Sequence, residues 1–265
     1  MMPTLVSFVC FLCSWLALSF AGSVMVSDEP TADDPPVRIQ RMAAFDHTPF
    51  DRILADVVRD ERVDYAALRK SHRPELQAYL DRLAAFDPAV VPNDDRLALY
   101  LNLYNASMLA TAVARLDKDP KWTPAANDWG VFDDKTVRIG GRSISLNQLE
   151  NEIIRKEFDE PRIHVALVCA AASCPPLIGA AYAPAGLADT LEENMRRFVN
   201  DPARNRVDHR AKMLSLSQIF EWYADDFGGR ERLASYVGRY VAGEVAGYSV
   251  EFLEYDWALN GVARE

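Results

Sequence analysis

The residues best suited to chemistry lie between Arg162 and Pro176. This stretch holds His164, one of four histidines in the chain, together with Cys169 and Cys174. An apolar run with one histidine, followed by small residues and Ser-Cys-Pro-Pro, is unusual for a plain core strand. An imidazole and a thiol can form a nucleophilic site, in which the histidine takes the thiol proton and the thiolate attacks a carbonyl carbon.

Strand periodicity selects one of the two cysteines. We expect residues 163–169 to form a short strand, which would place His164 and Cys169 on opposite faces. Cys174 follows a turn, from which the chain can run back toward His164. Cys174 is therefore the candidate nucleophile and His164 the candidate general base.

Three interpretations of the stretch remain open. In a structural one, His164 is a core histidine and the cysteines are bridged or simply buried. In a catalytic one, Cys174 and His164 form a nucleophile–base pair. In a third, His164, Cys174 and Glu150 hold a metal, although no CxxC, HxH or HExxH spacing supports it. The other histidines are expected to be solvated: His47, His72 and His209.

The longest predicted element is a helix over 93–116. Apolar residues surround its middle, so we expect it to be buried at the centre of the protein. Asn102 and Asn105 lie inside that apolar segment and must find hydrogen-bond partners. They either bind backbone groups of a neighbouring loop or, in the case of Asn105, orient a catalytic side chain.

Shorter elements complete the predicted fold. A helix over 146–158 follows Ser145 and carries Glu150 beside its apolar stripe, which makes Glu150 the second candidate orienter. Hairpins are expected over 135–145, around Gly-Gly, and over 205–214. We predict one α+β domain over 42–263, mostly helical, with a small antiparallel or mixed sheet of hairpins and short strands.

Composition excludes several classes of function. The 265 residues carry a formal net charge of −10, with scattered acidic residues, whereas a nucleic-acid surface needs a clustered basic face. No GxGxxG, Walker lysine loop or GxSxG elbow is present. We expect no cofactor, no metal and no nucleic-acid partner. Two aromatic clusters, Trp222-Tyr223 and Tyr255-Asp256-Trp257, belong either to the core or to a groove for a sugar, peptide or other small ligand.

The N-terminal residues predict export. Residues 1–21 have the apolar run and small-residue end of a signal peptide, with an uncleaved anchor as the alternative. Residues 22–41 form an acidic, proline-bearing lead-in that is expected to be disordered. The mature chain would then be periplasmic or extracellular and lack a membrane span. In an oxidising compartment, Cys169 and Cys174 can pair.

Six segments in order carry a resemblance to a known family, over nearly everything after the lead-in. The chain resembles the domain of unknown function 547 family. The segments are Val63-Asp64-Tyr65, Tyr100 to Ala106, Ser145 to Arg155, Arg162 to Pro176, Leu216 to Tyr223, and Tyr255 to Asn260.

The resemblance implies an exported or cell-envelope bacterial protein, with a distant likeness to papain-type thiol hydrolases. The family pattern places a histidine after the glutamate of the 146–158 helix, whereas Asn151 follows Glu150 here. If that histidine has a chemical role, the resemblance implies an altered or lost activity.

The sequence is compatible with two functions. The first is a thiol-dependent hydrolase of peptide or amide bonds, with Cys174 as nucleophile, His164 as base and Asn105 or Glu150 as orienter. The second is a non-catalytic cell-envelope binding or structural module, held by a disulfide between Cys169 and Cys174.

Overall fold

The structure is a computed structural model that describes residues 44–127 and 129–263. The predicted signal peptide, 1–21, and the predicted lead-in, 22–41, lie outside the described residues. These described residues cluster as one unit.

A long central helix, α4 (Asn93–Leu116), organises the core. Its middle is buried on all sides because apolar residues surround it, and Asp94 and Asp95 lie in its first turn, where the helix dipole favours acids. Among the described residues it alone is long and apolar enough to cross a membrane, but most of it is buried inside the protein, as in a core helix. The predicted bounds of this helix are confirmed.

The remaining described helices are shorter than α4. The α-helices are α1 (Thr48–Val57), α2 (Tyr65–Ala67), α3 (Arg73–Ala85), α5 (Leu146–Gln148), α6 (Arg155–Glu157), α7 (Leu187–Val199), α8 (Gln218–Trp222) and α9 (Leu233–Val237). π-helical turns cover Leu68–His72 and Leu149–Ile154. Turns of 3-10 helix cover Pro88–Val90, Gly130–Phe132, Pro161–Val165, Ala224–Phe227 and Arg230–Arg232.

The described strands form three small sheets. The strands are β1 (Val58–Arg59), β2 (Arg62–Asp64), β3 (Val137–Ile139), β4 (Arg142–Ile144), β5 (Arg206–Asp208), β6 (Met213–Leu216), β7 (Ser249–Phe252) and β8 (Gly261–Val262). The sheet orders are β1-β2-β8, β3-β4 and β5-β6-β7, with β2-β8 and β6-β7 parallel and the other pairs antiparallel. The predicted α+β class is confirmed, and both predicted hairpins form.

Two glycines explain why the β3–β4 hairpin forms where the sequence predicted it. Gly140 and Gly141 both have positive φ, 55° and 72°, the backbone conformation that a two-residue hairpin turn requires and that glycine adopts without strain.

The predicted strand over 163–169 is wrong. Residues Pro161–Val165 form a 3-10 helix that begins at a proline, and Glu160 accepts the backbone N–H of Arg162 at its start. The residues that follow satisfy their backbone groups with side chains of α4 and with residues 256–260 instead of a ladder. An apolar run alone does not distinguish a strand from an irregular buried segment.

The C-terminal segment contacts that irregular stretch. Ala171 forms an isolated antiparallel bridge with Leu259, and β8 anchors the segment beside β2. A Cβ at Gly261 would lie 2.0 Å from the Val63 carbonyl oxygen, so only glycine permits this approach. The irregular stretch after His164 is therefore held in place by a segment that is distant in the chain.

The prediction that His47 is solvated is also wrong. Its Nδ1 lies 2.6 Å from the Tyr79 hydroxyl, and its ring packs against Phe45. Burial lowers the pKa of His47 to about 4. His72 is half-buried, 3.5 Å from an Asp56 carboxylate oxygen. His209 is exposed, as predicted, and its Nδ1 lies 3.1 Å from the Tyr248 hydroxyl.

Candidate functional site

His164 lies buried at the centre of the candidate site. It occupies the 3-10 helix Pro161–Val165 and is 3% exposed. Its ring stacks on the ring of Tyr223, with centroids 3.8 Å apart and planes 18° apart. The stacking and burial fix the orientation of the imidazole.

Asp226 holds one nitrogen of that imidazole. The carboxylate Oδ2 lies 2.7 Å from His164 Nε2, and Arg155 donates to both oxygens of the same carboxylate at 2.7 Å. Burial opposes ionisation, but the hydrogen bonds from His164 and Arg155 outweigh it and hold the pKa of Asp226 well below its usual range. An ionised carboxylate only accepts, so Nε2 carries the proton.

The other nitrogen, Nδ1 of His164, is therefore a lone-pair acceptor in the neutral ring. It is buried and has no hydrogen-bond partner among the described residues. The nearest carboxylate oxygen, Oε1 of Glu150, is 3.9 Å away, beyond hydrogen-bond distance. A buried imidazole with one nitrogen held by a carboxylate and the other unpartnered has the arrangement of a general base.

Glu150 enters the site from the π-helical turn Leu149–Ile154, which interrupts the helix predicted over 146–158. Turns of this kind are rare and occur often at functional sites. The Glu150 side chain is buried, close to Tyr104 and Tyr223. The pKa values of both tyrosines are raised, mainly by burial and then by the charge of Glu150. Their hydroxyls therefore stay protonated beside the carboxylate.

Cys169 and Cys174 are joined by a disulfide, with their Cα atoms 6.2 Å apart. The Cys169 N–H donates to Cys174 Sγ at 2.9 Å, and the Tyr255 hydroxyl lies 3.3 Å from both sulfurs. Arg204 donates to the Cys174 carbonyl oxygen at 2.8 Å. Two hydrogen-bond donors, the Cys169 N–H and the Tyr255 hydroxyl, therefore lie at the sulfur of the candidate nucleophile. In this oxidised state Cys174 carries no thiol.

The histidine and both cysteines line one cavity of about 390 Å³. This corrects the expectation that His164 and Cys169 face opposite sides, which depended on a strand that does not form. We call this space the aromatic cavity because seven aromatic side chains line it: Tyr104, Trp129, Phe132, Trp222, Tyr223, Tyr255 and Trp257. Glu150 and Asn147 line it as well.

Asn105 does not hydrogen-bond to His164. Its side-chain NH2 donates to the Ala166 carbonyl at 2.8 Å, and its carbonyl oxygen accepts the Val168 N–H at 3.0 Å. Asn102 holds Tyr182 through the same pair of backbone bonds, both 2.8 Å long. Both asparagines therefore bind loop backbone groups, and the contact that orients His164 comes from Asp226 instead.

Sequence reasoning missed Asp226 and the extent of the aromatic lining. Asp226 lies 62 residues beyond His164 in the chain, in a segment for which the sequence predicted no chemical role. The two aromatic clusters at Trp222 and Tyr255 were the available signal. They line the cavity, and Trp222 stacks on Trp257 with ring centroids 5.9 Å apart.

The described residues contain no group of three or more histidine, cysteine, aspartate or glutamate side chains arranged to hold a metal ion. The suggested ligand set of His164, Cys174 and Glu150 is therefore not assembled here, since the Cys174 sulfur is bonded to Cys169.

Comparison with known proteins gives a family. The model of the family described as "Protein of unknown function, DUF547" matches residues 88–199. Residues 88–199 of the chain therefore belong to the DUF547 family. The matched DUF547 region contains α4, Glu150, His164 and both cysteines of the site, whereas Asp226 and most of the aromatic lining lie beyond it. No curated protein and no solved structure matches the chain.

Proposed function

We propose that the protein is a thiol hydrolase of peptide or amide bonds, with Cys174 in its reduced form as nucleophile and His164 as general base. One observation carries the proposal. His164 Nδ1 is buried without a hydrogen-bond partner, its ring is held by Asp226, and it lines the same cavity as Cys174.

The surroundings of Cys174 also support this role. The N–H of Cys169 and the hydroxyl of Tyr255 both lie within hydrogen-bond range of its sulfur. Donors of this kind stabilise a thiolate, which is the reactive form of cysteine. The disulfide is the resting form, and an external dithiol reduces it to two thiols while being oxidised itself.

The reaction would proceed in two halves. Nδ1 of His164 takes the thiol proton, and the Cys174 thiolate bonds to the amide carbonyl carbon. The C–N bond then breaks as Nδ1–H protonates the leaving nitrogen, which departs as an amine. Water, deprotonated by Nδ1, next attacks the thioester, which releases the carboxylic acid and restores the thiol. Asp226 keeps Nε2 protonated and stabilises the imidazolium.

We also propose that the protein is exported, with residues 1–21 as its signal peptide. Support comes from the apolar N-terminal sequence and from the disulfide, because disulfides persist mainly in oxidising compartments.

A second candidate function is a non-catalytic envelope binding module. The disulfide between Cys169 and Cys174 favours it, because the bond closes a small loop at the aromatic cavity and leaves no thiol. In that case the aromatic lining binds a ligand without reaction.

Alkylation of single-cysteine variants separates the two functions without a known substrate. Cys169→Ser leaves Cys174 as a free thiol, and we expect iodoacetamide to modify it at pH 6.5 at least about tenfold faster than an ordinary thiol, whose pKa is near 8.5. Adding His164→Gln should remove this advantage, because the base that takes the proton is lost. The measurement is the alkylation rate between pH 5 and 9, read by mass spectrometry.

The matched control is Cys174→Ser, which leaves Cys169 as the free thiol and should show an ordinary profile. On a panel of peptide and amide substrates, Cys169→Ser should act without reductant, the wild type only after reduction, and Cys174→Ser never. Identical alkylation profiles in all three variants would rule out the thiol hydrolase and favour the binding module.

A further inference from the structure

The charges at the aromatic cavity do not balance. Glu150 and Asp226 carry two negative charges, and Arg155 supplies one permanent positive charge. Arg155 forms a bidentate ion pair with Asp226, and its remaining terminal nitrogen donates a hydrogen bond to Asn151. Arg155 also interacts electrostatically with Glu150, although the two side chains form no ion pair. With His164 neutral, the cluster carries a net charge of −1.

Glu150 has no Lys or Arg ion pair within the described part of the chain. Its nearest cationic candidate is His164 Nδ1, at 3.9 Å and without a hydrogen bond. The residue is 8% exposed. The hydroxyls of Tyr104 and Tyr223 interact with this carboxylate, but they are neutral. A buried carboxylate without a cationic partner is costly, so the site lacks one positive charge.

The lining of the cavity suits a cation. The faces of aromatic rings carry partial negative charge and attract organic ammonium groups. Of the aromatic residues that line the cavity, Tyr223 has a protein cation over its ring, Arg155 at 5.0 Å. None of the others has one among the described residues. Trp129 and Trp222 are also 46% and 47% exposed, which is unusual for large apolar side chains that have no ligand to contact.

We infer that the aromatic cavity binds an organic ammonium ion, with the positive charge beside Glu150 and the alkyl groups against the aromatic rings. This deepens the proposed function, on which it rests only in taking the cavity as the substrate site: the substrate would be an amide that bears an ammonium group. A sugar or a neutral aromatic ligand fits less well, because either would leave the charge of Glu150 unbalanced.

Binding to the oxidised wild-type protein tests the inference. The probes are choline and n-butylammonium, and the neutral control is 3,3-dimethyl-1-butanol, in which carbon replaces the quaternary nitrogen of choline. We expect at least one ammonium probe to bind about tenfold or more tightly than the neutral alcohol. Calorimetry and tryptophan fluorescence give the affinities. Equal or undetectable binding of all three probes overturns the inference.

Charge variants locate the site. Glu150→Gln should reduce ammonium affinity about tenfold while leaving the affinity of the neutral alcohol unchanged. Glu152→Gln, an exposed glutamate on the same helical turn, is the matched control and should bind as the wild type does. If both variants bind alike, the cation is not at Glu150 and the inference fails.

The oxidised protein has no free thiol, so binding is measured apart from catalysis. Ammonium binding with no activity after reduction would support the cation site and contradict the thiol hydrolase. Reductant-dependent activity on neutral amides without ammonium binding would support the thiol hydrolase and contradict the cation site.

Discussion

At the scale of single residues, the site depends on how one imidazole is held. The Nε2 bond to Asp226 and the stacking on Tyr223 leave Nδ1 of His164 as its only free acceptor. Neither of the predicted orienters makes this contact. The carboxylate that does is fixed in turn by Arg155, whose guanidinium also lies over the Tyr223 ring at 5.0 Å.

Replacing Asp226 tests that arrangement. We expect Asp226→Asn to lower the free energy of unfolding at pH 7 by about 1–3 kcal/mol, because charge-assisted bonds from His164 and Arg155 are lost. The folded pKa of Asp226 is depressed, so its contribution is complete above the unfolded pKa of about 3.9 and is lost as the pH falls below it.

Urea unfolding at pH 7 and pH 3 measures this difference between the variant and the wild type, which should narrow at pH 3. Asp225→Asn, at the exposed neighbouring position, is the control and should change little at either pH. A difference that stays constant with pH would mean that the Asp226 carboxylate is not ionised in the folded protein.

At the scale of elements, the buried helix α4 fixes the loops of the site. Asn102 binds the backbone of Tyr182, and Asn105 binds the backbone of residues 166 and 168, directly after His164. The loops have no ladder of their own here, so the helix supplies their hydrogen bonds. The need of these loops for hydrogen-bond partners explains why two asparagines lie inside an apolar helix.

Asn105→Ala should therefore destabilise the fold. The change leaves the Ala166 carbonyl and the Val168 N–H buried without partners, at a cost of about 2–5 kcal/mol in the free energy of unfolding. Chemical denaturation measures it. Ser107→Ala is a matched control on the same helix, also buried, and should cost less than about 1 kcal/mol. Similar losses in both variants would contradict the proposed role of Asn105.

At the scale of the whole molecule, stability in acid depends on the half-buried histidine at the start of α1, His47. Burial lowers the pKa of His47 to about 4, from an ordinary value of 6.5. The folded state binds the proton less well than the unfolded state. The contribution of neutral His47 to the free energy of unfolding is therefore complete above about pH 6.5 and is lost as the pH falls toward 4.

The wild type should lose roughly 2–3 kcal/mol of unfolding free energy between pH 7 and pH 4 from this residue. His47→Gln removes the titrating group and should flatten the stability profile in that window. His209→Gln changes an exposed histidine and should keep the wild-type slope. The profile comes from urea titrations at half-unit pH steps, and parallel slopes for the wild type and His47→Gln would contradict the prediction.

Some features followed from the sequence because their causes are local. Apolar residues all around 93–116 dictate a buried helix, Gly-Gly dictates the β3–β4 turn, and Ser145 with Gln148 forms the capping box that starts α5. The residue types between Arg162 and Pro176 pointed to His164 and Cys174 as a candidate pair, whereas the strand predicted there wrongly placed Cys169 on the opposite face.

Only the tertiary structure decided how those residues meet. The segment after His164 takes its hydrogen bonds from α4 and from residues 256–260, so it is irregular, and His164 lines the same cavity as both cysteines. Asp226 and the aromatic rings around Tyr255 reach the site from 62 to more than 80 positions away in the chain. Contacts over such separations leave no local pattern, because they depend on which elements pack together and not on neighbouring residues.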